Sequence, residues 1–81
     1  MNVPVNFYSY FRELTGCSNT MVTLPEGAVL KDLVRELQQR FPKLKQMEKS
    51  TLVAVGLEYQ GPEYILRDGD DVSLFPPVQG G

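Results

Sequence analysis

Two hydrophobic periods alternate along the chain, and each changeover marks an element. Val3, Val5 and Phe7 alternate with Pro4, Asn6 and Tyr8. A repeat of two predicts a strand with its Val3/Val5/Phe7 side buried, because successive strand side chains point to opposite faces. Pro4 lies near the start of that strand, where a missing N–H is best tolerated. Tyr10 to Thr15 predicts a short helical turn, with Gly16 as its left-handed stop. Thr20, Val22 and Leu24 alternate with Met21 and Thr23 and predict a second strand, close enough in sequence to pair antiparallel with the first. Pro25-Glu26-Gly27 breaks the alternation. From Ala28 the period lengthens: Leu30, Leu33, Val34, Leu37 and Phe41 fall on one face of a helix over residues 28–41. Gly27 is the expected N-cap, and Pro42 ends the helix by biasing Phe41 out of the α region.

Lys43 to Lys49 reads as a short irregular or helical link. Thr51 to Val55 is apolar on both faces and predicts an interior strand. Gly56 to Pro62 carries turn signals around Tyr59-Gln60-Gly61. Tyr64-Ile65-Leu66 is a short extended piece, and Asp68-Gly69-Asp70 a tight turn. Val72 and Leu74 then alternate with Ser73 and Phe75 in a last strand. The order β-β-α-β-(β)-β predicts an α+β fold: a β-grasp (ubiquitin-like) roll, with one main helix on a mixed sheet of four to five strands. The helix is expected to pack Leu30, Leu33, Val34 and Leu37 on a sheet containing Val5, Phe7, Val22, Leu52, Val72 and Leu74. The folded domain is expected over 1–75, with an extended tail over 76–81.

Strand parity leaves a remainder. If Val3/Val5/Phe7 and Val72/Leu74 point inward, Tyr8 and Phe75 point outward, and Tyr59, placed in a turn, is exposed. These three form an apolar patch if the first and last strands are neighbours, and clustered exposed aromatics mark a partner site. The patch adjoins Phe75-Pro76-Pro77-Val78-Gln79-Gly80-Gly81. Two prolines stiffen this segment, and two glycines leave its carboxylate tip without side chains. Such a tip can be threaded into another protein's active site and modified at its carboxyl group.

Composition narrows the chemistry. Eighty-one residues make one domain, and 42% hydrophobic with 22% charged is ordinary for a globular protein. A net charge of −2 argues against nucleic acid as the main partner. Residues 31–49 hold six basic and three acidic side chains, whereas 58–71 hold one basic and five acidic. These are either two solvated faces or an acidic face that steers a basic partner. The chain has no histidine and one cysteine, Cys17. That leaves no triad, no internal disulfide and no His- or thiolate-based metal site, and it fits a reduced cytoplasm. Asp68, Asp70 and Asp71 match no calcium loop, because Gln79 stands where the bidentate Glu belongs. No bound metal or cofactor is expected. The N-terminus is not that of a signal peptide, and the longest apolar run, Leu52 to Leu57, is too short to cross a membrane.

Three segments carry a resemblance. Arg12-Glu13-Leu14-Thr15-Gly16, Leu66-Arg67-Asp68-Gly69-Asp70-Asp71-Val72 and the Phe-Pro-Pro-Val-Gln-Gly-Gly terminus resemble the molybdopterin synthase small-subunit family of ubiquitin-like sulfur carriers. The resemblance spans the chain. Family members often have Asn after the Ala-Val of the third strand, where this chain has Gly56. The resemblance implies a non-catalytic carrier whose Gly81 carboxylate is adenylated by an ATP-consuming activator and converted to a thiocarboxylate. It then donates sulfur to precursor Z inside the large synthase subunit, in a heterotetramer. Gly80 would give the tip access, and Phe75, Pro76, Pro77, Val78, Tyr8 and Tyr59 would meet the partner. Carriers for the thiamin thiazole share the fold and the Gly-Gly end but usually lack the Phe-Pro-Pro neck. A ubiquitin-like protein modifier is the alternative from a different class.

Overall fold

The computed structural model describes residues 1–76; Pro77 to Gly81 lie outside the described residues. Five strands form one sheet: β1 (Asn2–Phe7), β2 (Asn19–Thr23), β3 (Leu52–Val55), β4 (Glu58–Tyr59) and β5 (Val72–Phe75). Their spatial order is β2-β1-β5-β3-β4. β1 and β5 run parallel, with Val5 opposite Val72 and Phe7 opposite Leu74. The other neighbours are antiparallel. This mixed sheet, together with helix α1 (Tyr10–Thr15) and helix α2 (Leu30–Arg40), is the α+β β-grasp arrangement that the hydrophobic periods predict.

The core lies between α2 and one face of the sheet. Leu30, Leu33 and Leu37 of α2 are fully buried against Val3, Val5 and Phe7 of β1, Val22 of β2, and Val72 and Leu74 of β5. Spacings of three and four in the helix and of two in the strands bring these side chains to one interface. Phe41 closes the end of the core, its ring edge-on to Phe7 at 5.7 Å. Phe11 of α1 is also fully buried, although the short helical segment around it has no apolar period to reveal this. Gly16 ends α1 in the left-handed conformation, at φ 77°, and its N–H donates to the Arg12 carbonyl.

One boundary and two placements differ from the sequence reading. The helix starts at Leu30 and not at 28, and Val29 rather than Gly27 caps it. Gly27, at φ 87°, turns the chain, and the Asp32 carboxylate accepts the Val29 N–H at 3.0 Å. The next two amides are satisfied from a distant loop: Leu30 donates to the Tyr64 carbonyl and Lys31 to the Pro62 carbonyl. These tertiary partners add to the local Asp32 contact in satisfying the first amides of the helix. Leu52 does not join the core. It pairs with Phe75, so Val53 and Val55 take the inward positions opposite Leu74 and Val72. Tyr59 is not in a turn. It pairs with Ala54 in β4, and the tight turn is Gly56-Leu57. Gly56 has φ 62°, a conformation that glycine takes freely and that asparagine tolerates better than other side chains.

Pro42–Ser50 forms a 3-10 segment kinked at Met47, and it buries Leu44. The 62–66 loop is held by the bridge of Ile65 to Val29 and by the Tyr64 hydroxyl, which donates to Asp70 at 2.9 Å. That hydrogen bond, followed by desolvation and the Asp70 charge, raises the Tyr64 pKa above its ordinary value. Gly69, at φ 93°, completes the Arg67–Asp70 turn that leads into β5. The layered core makes a direct prediction. Leu33→Ala should destabilise the fold by about 2–5 kcal/mol in chemical denaturation, because it removes a fully buried side chain and leaves a cavity.

Candidate functional site: the helix-free face

One face of the sheet carries α2; among the described residues the other carries no helix. On the helix-free face the outward residues of the central strands converge at the end of β5. Tyr8 follows β1 directly, and its N–H still donates to the Leu74 carbonyl at 3.1 Å, so it stays in register beside Phe75. The Tyr8 and Phe75 ring centroids are 6.0 Å apart with an interplanar angle of 67°. From the other side Tyr59 approaches Phe75 at 5.6 Å and 64°. Both are edge-to-face contacts in the favourable range for aromatic pairs. Phe75 thus stands at the centre of a row of three rings.

Small residues make the row possible. Ala54 and Ser73 are paired across β3 and β5 beneath the rings, and a larger side chain at either position would push them apart. Ala54 is only 6% exposed although it points away from α2 and does not belong to the core cluster. It pairs with Tyr59 across the hairpin and lines one groove with the three rings. They remain open to solvent, with Tyr8 44% and Tyr59 62% exposed. The parity argument is borne out: the three aromatics meet. Their meeting depends on the parallel β1–β5 pair and on the β3–β4 hairpin, which local sequence pattern does not specify.

Pro76, directly after Phe75, is the last described residue. The other residues expected to carry chemistry or contact, Pro77, Val78, Gly80 and Gly81, lie outside the described residues. Among the described residues no group of three or more His, Cys, Asp or Glu is placed to hold a metal, and no helix is long and apolar enough to cross a membrane. Cys17 is partly buried at the edge of the core. Asp71 is engaged by the Asn6 side chain at 2.9 Å, and Asp70 by Tyr64 and the Arg67 N–H, so two of the three clustered acids have structural partners.

One residue at the site gives no signal in the sequence. Ser9, between β1 and α1, has φ 54° and ψ −131° and is the one non-glycine residue at positive φ among the described residues. Tyr8 is still bonded to β5 while the Ser9 carbonyl already accepts the Arg12 N–H of α1. A single residue therefore absorbs the change of direction and fixes where Tyr8 points. Serine does not announce such a conformation, which costs about 1–3 kcal/mol outside glycine.

The fold and the exposed face define a ubiquitin-like β-grasp protein that offers an aromatic surface beside its C-terminal strand. The ThiS family model matches residues 5–81, and the chain belongs to that family. It is 31% identical over 83 residues to the molybdopterin synthase sulfur carrier subunit of Chlamydomonas reinhardtii, with 100% of each chain covered. A Pyrococcus furiosus structure, provisionally described as subunit 1 of molybdopterin converting factor, is 34% identical with a TM-score of 0.88, covering 96% of this chain and 99% of that one. A chain from the Helicobacter pylori complex of subunits 1 and 2 of molybdopterin-converting factor is 30% identical with a TM-score of 0.73, covering 100% of each.

Backbone strain at Ser9 generates a prediction of unusual sign. Ser9→Gly should stabilise the protein by about 1 kcal/mol, the relieved strain of about 1–3 kcal/mol exceeding the extra unfolded-chain entropy of glycine, about 0.5–1 kcal/mol. In thermal unfolding this is a midpoint roughly 4–8 °C higher. A midpoint that is unchanged or lower would show that the Ser9 backbone is unstrained.

Proposed function

We propose that this chain is the sulfur carrier subunit of molybdopterin synthase. The observation that carries the proposal is the aromatic row of Tyr8, Phe75 and Tyr59 at the point where the sequence passes into Pro-Pro-Val-Gln-Gly-Gly. The row supplies a docking surface, and the terminal segment supplies a thin reactive end. Family membership and the names of the relatives support the same reading.

The chemistry follows from the terminus. The Gly81 carboxylate attacks the α-phosphate of ATP in the activating enzyme, pyrophosphate leaves, and an acyl-adenylate forms. A carboxylate is a poor electrophile; the adenylate has AMP as a good leaving group. Hydrosulfide supplied by a donor attacks the acyl carbon, AMP leaves, and a thiocarboxylate remains on Gly81. The carrier then docks on the large synthase subunit through Tyr8, Tyr59, Phe75 and Pro76, and Pro77 and Val78 carry the tip inward. Gly80, without a side chain, lets the tip enter a narrow channel. There the sulfur bonds to precursor Z toward the dithiolene, and water hydrolyses the acyl–sulfur bond, which leaves the sulfur behind and returns the terminus to a carboxylate. Two carriers and two large subunits form the working heterotetramer in the cytoplasm. The carrier needs no cofactor of its own, and the complex supplies the catalytic groups. Sulfur rides on a backbone carboxyl, so a chain with one cysteine and no histidine suffices.

Two outcomes test this. Deleting Gly81 should leave stability and most of the partner affinity intact, because a terminal residue adds little packing. It should abolish product formation, since the reactive carbonyl retreats by about 3.3–3.6 Å from a geometry that demands contact at about 3–3.5 Å. Intact mass after incubation with ATP, activator and sulfide should show one oxygen exchanged for sulfur in the wild type and not in the deletion. Full sulfur transfer by the deletion variant would remove the carrier assignment, and conjugation to protein lysines in place of thiocarboxylate would point to a modifier. Phe75→Ala should weaken binding to the large subunit by about 2 kcal/mol or more while the protein stays folded. Calorimetric titration beside a thermal melt separates this from loss of structure.

A further inference from the structure

The β3–β4 hairpin presents a side chain that neither the core nor the aromatic row accounts for. Val55 pairs with Glu58, so Gly56-Leu57 is a two-residue turn. Gly56 has positive φ and Leu57 does not, the type II′ arrangement, whose second position usually holds a polar residue. Here that position holds Leu57, 103% exposed, as open as a leucine in an extended peptide. The turn is nevertheless anchored, because the Gly56 N–H donates to the Asp71 carbonyl at 2.9 Å.

A single exposed leucine needs no explanation, but one continuous with an apolar patch does. Leu57 lines the same shallow groove as Tyr8, Tyr59 and Phe75. It extends the aromatic row to the tip of the hairpin. Held on an anchored turn, it can be buried by a partner with little backbone ordering, the condition under which apolar contact converts best into affinity. Its surroundings are acidic. Glu58 follows it in the hairpin, and Asp71, whose carbonyl holds the turn, is acidic too.

We propose that Leu57 is a specificity-determining anchor of the docking face, inserting into an apolar pocket of the large-subunit partner whose rim is basic. The proposal rests on the sulfur-carrier reading and names a contact surface beyond the tail and the three rings. The acidic flanks of the tip match a Lys/Arg rim, which also speeds association in a salt-dependent way.

The test uses the full-length chain and the purified molybdopterin synthase large subunit from the same organism. Leu57→Ser should raise the dissociation constant about tenfold or more with an unchanged melting midpoint, and Leu57→Met should stay close to wild type. Leu57→Asn, also suited to the second position of the turn, serves if the serine variant unfolds. The wild-type association rate should fall as sodium chloride is raised. Wild-type affinity in Leu57→Ser, with binding weakened in Phe75→Ala, would overturn the Leu57 anchor and leave the carrier function standing. Wild-type affinity in both variants would overturn the docking face itself and the anchor with it. An association rate independent of salt would overturn the basic rim.

Discussion

The parallel pairing of the first and last strands is the constraint on which the rest of the molecule depends. Val5 faces Val72 and Phe7 faces Leu74, so the first and last described strands lie side by side within the sheet. A parallel pair cannot be closed by a tight turn; it needs a long crossover. Everything between residues 8 and 71 is that crossover, and α2 is the part that covers the sheet. The pairing buries Val5, Phe7, Val72 and Leu74 together, which makes the centre of the core. It also brings Tyr8, at the exit of β1, beside Phe75, at the exit of β5.

The sheet therefore has two faces with separate roles. The face under α2 provides stability through aliphatic packing. Among the described residues no helix covers the opposite face, and its aromatic row is only partly buried by its own contacts. Mutual edge-to-face packing keeps the rings ordered while leaving them accessible. The raised pKa of Tyr64 has a structural cause in its bond to Asp70.

The loop between β4 and β5 links the two faces. Its carbonyls at Pro62 and Tyr64 accept the first amides of α2, and the Leu66 N–H donates to the Ala28 carbonyl. These bonds satisfy groups that a helix end leaves free, and they tie the segment following Tyr59 to the helix on the other side of the sheet. The face that carries the rings is in this way braced by the element that carries the core.

Local sequence determined a good part of this protein. The period of two in Val3-Val5-Phe7 and Val72-Leu74, the helical spacing of Leu30, Leu33 and Leu37, and the stops at Gly16 and Pro42 are local codes, because side-chain direction follows from backbone repeat. The sequence was also enough to show that Tyr8 and Phe75 turn away from the core, since parity along a strand is local. Only the tertiary structure decided that the three rings meet, because their meeting depends on which strands are neighbours and in what register. The same holds for Leu52 beside Phe75 and for Tyr59 in a strand, each fixed by its partner across the sheet. Ser9 is the extreme case. Nothing in its side chain encodes positive φ, and the conformation follows from two elements that must leave and enter within one residue.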